Sequence, residues 1–290
     1  MDPISGFIEN NKLTFGRYVK QFTEWLTDNF HREFRAFSDG LAWIIEGVID
    51  LLTAVPPILL IALVAGFAYW LHRSAKLAAG VVIGLLLILN LGYWEPTIQT
   101  IALVLFSTFM CILIGVPIGI YAAHNPWFQS LIRPILDLMQ TIPTFVYLIP
   151  TLMLFGLGVV PGLISTIIFA LPAPVRLTTL GVQSVPKQLL EAGTAFGATR
   201  RQLLFKVELP HAMPTIMAGV TQCIMLSLSM VVIAALVGAD GLGKPVVRAL
   251  NTVNIAQGFE AGLAIVIVAI LMDRVMKQTD RDGRAKSGDS

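Results

Sequence analysis

The chain has 290 residues, 56% of them hydrophobic and 13% charged, with a mean hydropathy of +0.76. Ordinary soluble domains carry about 25% charged residues, so this composition excludes one and places the chain in a membrane. A net charge of +2, from 20 basic and 18 acidic residues, offers no broad basic surface and excludes a nucleic-acid partner.

In chain order, the N-terminus begins with Asp2 and continues through Glu9 and Lys12 without a basic segment followed by an apolar core, so no cleavable signal peptide is expected. Residues 1–55 are read as an external tail. Within it Phe15, Tyr18, Phe22, Trp25 and Leu26 recur at three and four residues, as do Phe30, Phe34, Phe37 and Leu41, with charges on the other face. That period predicts an amphipathic helix lying on the membrane surface. Its continuation, Leu41 to Val55, keeps Glu46 and Asp50 together four residues apart and reads as interfacial rather than spanning.

A hydrocarbon core of about 30 Å needs about 20 apolar residues per helix, with backbone groups satisfied inside the helix. Seven segments qualify, near 56–71, 76–93, 97–123, 131–155, 157–176, 212–237 and 257–276. Pro56, Pro57, Pro134, Pro143, Pro150, Pro161, Pro172 and Pro174 interrupt or shorten the first, fourth and fifth. Gly80 with Gly84, and Gly115 with Gly119, are spaced for close helix packing. Asp137 in the fourth segment stands four residues after Arg133, and the two are expected to pair along one helix face. Cys111 and Cys223 lie in apolar stretches and read as buried packing residues, and His31, His72, His124 and His211 have no ligand spacing, so no metal site is expected. Trp127, Phe145 and Tyr147 offer π faces for a quaternary ammonium. Aromatics in membrane helices mostly pack or line the interface, so none is assigned a substrate role.

Basic residues orient the spans. Arg73, Lys76, Arg133, Arg176, Lys187, Arg200, Arg201, Lys206, Arg274, Lys277, Arg281, Arg284 and Lys286 fall in one set of loops, and Lys244 and Arg248 in the alternate set, leaving aside the tail, whose Lys12, Arg17, Lys20, Arg32 and Arg35 are mixed with Glu24, Asp28, Glu33 and Asp39 well before the first span. That asymmetry predicts the N-terminus outside and the C-terminus inside.

The loop from Val185 to Ile216 is not low-complexity. Leu189, Leu190, Ala195 and Phe196 form an apolar stripe, Gly197 breaks it, and Leu203, Leu204 and Phe205 open a second face before Pro210 and Pro214 reset the chain. A helix, a turn and a second helix are expected. Such an element either covers the ends of its own bundle or inserts into a groove on another protein, and periodicity does not choose between them.

Glu191, Ala192, Gly193, then three residues to Gly197, then nine to Val207, one more, and Leu209-Pro210 is similar to the E-A-A-x3-G-x9-I-x-L-P signature of ABC importer permeases. Gly193 and Val207 depart from the second alanine and the isoleucine. The stretches Arg133 to Pro150, Thr166 to Thr178, Leu209 to Val220 and Leu226 to Gly243 resemble the permease of the glycine betaine, proline betaine and choline subgroup over roughly residues 40 to 275. The resemblance implies an all-α polytopic bundle of the type I importer permease kind. It also implies a coupling helix that sits in a cleft of an ATPase subunit, with Glu191, Ala192, Gly193, Ala195, Phe196, Gly197, Leu209 and Pro210 as the coupling residues. Implied partners are cytoplasmic ABC ATPase subunits, an external substrate-binding protein and a second copy of the permease in the lipid membrane. No cofactor is implied, and the cargo is glycine betaine, choline or a relative, with histidine or proline derivatives as the alternative. Glu191 suits either a charge-assisted contact with the partner or a local helix cap, Ala192 and Gly193 suit close approach, and Gly197 suits the turn.

Gly238 to Pro245 comes within one residue of G-x-x-x-x-G-K-[ST], but Pro245 lacks the hydroxyl for magnesium and the loop falls outside, so it is read as a flexible external turn and not an ATP site. An ion-coupled transporter or channel would show several intramembrane carboxylates and repeats. An intramembrane enzyme would show a clustered nucleophile and base. Neither pattern is found. The expected organisation is the tail to residue 55, a permease domain over 56–276 with its cytoplasmic loop at 177–211, and a cytoplasmic tail from 277.

Overall fold

The computed structural model describes residues 15–276, so expectations resting on residues 1–14 and on the basic tail from Lys277 lie outside the described residues. The helices are α1 (Phe15–Thr53), α2 (Pro57–His72), α3 (Ala75–Asn90), α4 (Trp94–His124), α5 (Pro126–Thr141), α6 (Thr144–Phe155), α7 (Val159–Ala170) and α8 (Pro172–Gln183). They continue as α9 (Lys187–Ala195), α10 (Arg200–Leu203), a π turn (Leu204–Glu208), α11 (Leu209–Ala235), α12 (Gly243–Thr252) and α13 (Ile255–Met276). Among the described residues there is no strand.

Each of the seven apolar segments is helical, and four helical stretches are long and apolar enough to cross a membrane unaided: Trp94–His124, Val159–Gln183, Arg200–Ala235 and Ile255–Met276. The expected span 131–155 is not straight. It bends by 96° between α5 and α6, because Ile142, standing before Pro143, is extended at φ −65 and ψ 130, as clash with a proline ring demands. A second bend, of 100°, separates α1 from α2 at Pro56-Pro57. The fifth expected span does not end at 176. Leu171 stays helical and Pro172 falls in the first turn of α8, where a missing N–H costs little, so the helix continues to Gln183.

The centre of the molecule is α8 held between α4 and α11. A Cβ added at Gly119 would stand 2.7 Å from both the Val175 carbonyl oxygen and Thr178 Cβ, and one at Gly219 would stand 3.0 Å from Leu177 Cβ. Thr179 Oγ1 donates to the Gly119 carbonyl at 3.0 Å, so hydrogen bonding tightens what the missing side chains allow. Gly115 also lies at this seam, against Pro174, whereas of the other spaced pair only Gly84 is in contact, facing Ile267. Ser107 Oγ donates to Ser227 Oγ at 3.1 Å and ties α4 to α11. Cys111 and Cys223 are free and buried beside them. On one flank Ile61, Ala68, Val81, Ile88 and Val268 pack α2, α3 and α13 onto this centre, and His72 Nε2 donates to the Val275 carbonyl at 2.8 Å, so the ends of α2 and α13 lie together.

Helix α1 is kinked at Phe30 (φ −125, ψ 20). Beyond the kink it joins the bundle: Phe34 lies edge-on to Phe155 at 5.5 Å, Ser38 Oγ donates to the Phe155 carbonyl at 3.1 Å, and Leu41 and Ile45 are buried against Val160 and Leu163. Before it, Tyr18, Phe22 and Trp25 stay exposed.

Candidate functional site at the segment between α8 and α11

The segment begins where α8 gives out at Ser184. Pro186 then sets the backbone for α9, a nine-residue helix with no buried side chain. Its end is a Schellman closure: the Gly197 N–H bonds the Thr194 carbonyl at 2.9 Å and the Ala198 N–H bonds the Gly193 carbonyl at 3.0 Å. This closure needs a left-handed residue, which Gly197 supplies at φ +79. Thr199 and Gln202 then cap α10 reciprocally, with the Thr199 N–H bonding Gln202 Oε1 at 2.8 Å and the Gln202 N–H bonding Thr199 Oγ1 at 3.3 Å.

The expected second helix is not set apart by Pro210. After α10 the chain widens into the π turn, the Leu209 N–H reaches back to the Leu204 carbonyl, and α11 follows with Pro210 in its first turn. A proline in a continuing helix clashes with the carbonyl four residues back, and the wider turn just before it relieves that clash. The segment is therefore joined through helical backbone to a membrane-length helix.

A Cβ on residue 193 would stand 2.5 Å from Leu203 Cδ2. Glycine at this position lets α9 and α10 close on one another. Around that contact the side chains divide. Leu203, Leu204 and Val207 are half-buried, and Leu209 packs against Val182, Ala212 and Ile216. Glu191, Ala192 and Ala195 are exposed, as are Leu189, Phe205 and Phe196, the last with 93% of its surface open. Pro210 is exposed as well. Glu191 is the fifth residue of α9 and so does not cap it.

Other expectations are redistributed. Asp137 pairs with Arg176 of α8 at 2.5 Å, not with Arg133, and Arg176 Nη1 also donates to Gln140 Oε1 at 3.0 Å. Two acceptors one turn apart on α5 suit a forked guanidinium better than the single carboxylate suits its neighbour four residues back. Trp127 and Phe145 are exposed, and the Tyr147 hydroxyl donates to the Met139 carbonyl at 2.7 Å, so the three aromatics do not converge. The loop after Gly238 is no flexible turn. The Leu242 N–H bonds Thr100 Oγ1 at 2.8 Å, Lys244 is ion-paired with Asp240, and α12 begins at Gly243.

Sequence reasoning missed one pair entirely. Glu208, between inward-facing Val207 and Leu209, is buried, and its Oε2 lies 2.8 Å from Nε2 of His124 at the end of α4. A carboxylate flanked by apolar inward positions was the available signal.

The family described as binding-protein-dependent transport system inner membrane component matches residues 115–282, which takes in the whole segment. The glycine betaine transport system permease protein OpuAB of Bacillus subtilis is 49% identical over 264 residues, covering 91% of this chain and 93% of that one. The glycine betaine/proline betaine transport system permease protein ProW of Escherichia coli is 43% identical over 272 residues, covering 93% of this chain and 76% of that one. Among solved structures, the inward-facing MetNI methionine ABC transporter is similar with a TM-score of 0.57 and 25% identity, over 64% of this chain and 92% of that one. An all-α bundle of membrane-length helices, a family match over more than half of the chain and near-half identity to full-length relatives agree: the chain belongs to the binding-protein-dependent transport system inner membrane component family and is a multi-pass protein of the inner membrane.

Proposed function

We propose that this chain is the permease subunit of an ATP-driven ABC importer for glycine betaine, choline or a related quaternary ammonium compound, and that Lys187 to Pro210 is where an ATPase subunit docks. The observation that carries the docking role is the two-faced build of the segment. Leu189, Phe196 and Phe205 are held outward on a short capped scaffold, while the same scaffold runs through the π turn into α11. Exposed aromatic side chains on a rigid helix suit insertion into a groove on a partner. Closure of paired ATPases around the segment would pull on α11 directly and switch the pathway between outward and inward access.

The cargo rests on the relatives, whose names specify glycine betaine and proline betaine. In this reading an external binding protein delivers the cargo and a second copy of the permease completes the pathway. The basic-residue count supports the segment facing the cytoplasm, and the shared position of the α2 and α13 ends is in keeping with that orientation. The chain hydrolyses no ATP itself. Lys244, which a nucleotide loop would spend on phosphates, is tied to Asp240.

The test is to compare Glu191→Lys and Gly197→Val with the parent for membrane insertion, copurification of the ATPase and glycine betaine uptake. Normal insertion with loss of the other two is expected. Full uptake in both variants would rule out the docking role. Titrating the cognate binding protein with glycine betaine, choline, proline and histidine tests the cargo, and tight binding of a quaternary ammonium alone is expected.

A further inference from the structure

His124 closes α4, and its Nδ1 lies 2.9 Å from the Ile120 carbonyl. A carbonyl only accepts, so Nδ1 carries a proton. The other ring nitrogen, Nε2, faces Glu208 Oε2 at 2.8 Å. That oxygen is buried, and its approach to the ring is a close polar contact without hydrogen-bond geometry. The imidazole is half-exposed and the carboxylate buried, so the ring reaches Glu208 from the open side of the π turn. One short polar contact joins the end of α4 to the last residue of the π turn.

The position of this contact matters more than its strength. Glu208 is the final residue before α11, and the Leu209 side chain beside it meets Ile120 and Ala123 of α4 through the Val182, Ala212 and Ile216 cluster. A displacement of α9 and α10 reaches α11 through the backbone, and it reaches the His124 end of α4 through side chains, this pair foremost. We propose that His124 and Glu208 are positioning residues for transport: a side-chain latch that makes α4 follow the docking segment, so that α4 and α11 move as one unit when the ATPases close. This rests on the docking reading given above. It adds that coupling is carried by two helices and that this side-chain pair fastens the second to the segment.

The test uses the complete transporter, permease with ATPase and binding protein, in proteoliposomes, and reads glycine betaine moved per ATP hydrolysed. A merely structural role would change yield or thermal stability but not this ratio. His124→Ala and Glu208→Ala are each expected to lower the ratio on the order of tenfold, the scale of losing a buried polar contact. The double variant should be no lower than either single one, because both remove the same contact. Glu208→Gln, whose amide can donate to Nε2 with the ring neutral, should stay within about twofold of the parent. If Glu208→Ala fails to assemble, His124→Ala, which removes the half-exposed partner, and Glu208→Gln carry the comparison. An unchanged ratio in His124→Ala, losses that multiply in the double variant, or a Glu208→Gln ratio as low as that of Glu208→Ala would overturn the latch while leaving the docking reading intact. A parent complex that moves glycine betaine without the ATPase would instead overturn the reading on which the latch rests.

Discussion

Leu203 Cδ2 occupies the space a Cβ on residue 193 would need, 2.5 Å away, so the glycine that departs from the E-A-A pattern is matched to the leucine ten residues later. Gly193→Ala is therefore expected to weaken the segment even though alanine is the better helix former. Overpacking of this kind costs about 1–3 kcal/mol, against about 1 kcal/mol gained in helix propensity. ATPase association should fall in Gly193→Ala and recover in the double variant Gly193→Ala, Leu203→Ala, measured by copurification. Equal association in all three would show that the contact has no bearing on docking.

At Gly197 the constraint is conformational, since a Cβ there meets nothing within 4 Å while φ is +79. Gly197→Ala should cost about 1–2 kcal/mol, the penalty of a left-handed L-residue, and Gly197→Asn distinctly less. Uptake should rank parent, asparagine, alanine, valine. A ranking by side-chain volume, with alanine above asparagine, would contradict the backbone argument.

Phe196 and Phe205 are 93% and 66% exposed, so truncating either removes no packing from the permease. Phe196→Ala and Phe205→Ala should leave insertion and thermal stability unchanged, while each raises the dissociation constant of the ATPase by roughly 10- to 100-fold, the range of aromatic hot spots. Titrating the detergent-solubilised permease with labelled ATPase reads this directly.

The Asp137–Arg176 pair is partly exposed, at 59% and 40% of the side-chain surface. Such pairs are worth about 0–1 kcal/mol. Arg176→Ala should lower thermal stability slightly and Arg133→Ala not at all, because Arg176, unlike Arg133, is seen to bridge α5 to α8. The reverse order would restore the pairing along α5.

Much of this was legible before any coordinates. The Glu191 to Pro210 spacing located the segment, the break at Gly197 located its turn, and Ile142-Pro143 carried the steric information that bends α5 away from α6. What failed were inferences from single charges. Arg176 looked like a loop residue because arginine in an apolar span is costly, yet Asp137 and Gln140 from another helix satisfy it, and no local pattern reveals a partner 39 residues away. Glu208 carried no expectation, because it falls at the unspecified motif position between Val207 and Leu209. The π turn from Leu204 to Glu208 has no residue signature of its own. It is a response to Pro210, and the usual reading of proline as a stop hides it. The tertiary partner decided each of these positions, and partners are the information a linear pattern lacks.

The most direct test of the central claim is glycine betaine uptake into proteoliposomes holding the permease and its binding protein, with and without the ATPase subunit and ATP. Uptake that requires both additions, and that is abolished by Gly197→Val in the presence of both, is the predicted result. Uptake by the permease without the ATPase would contradict it.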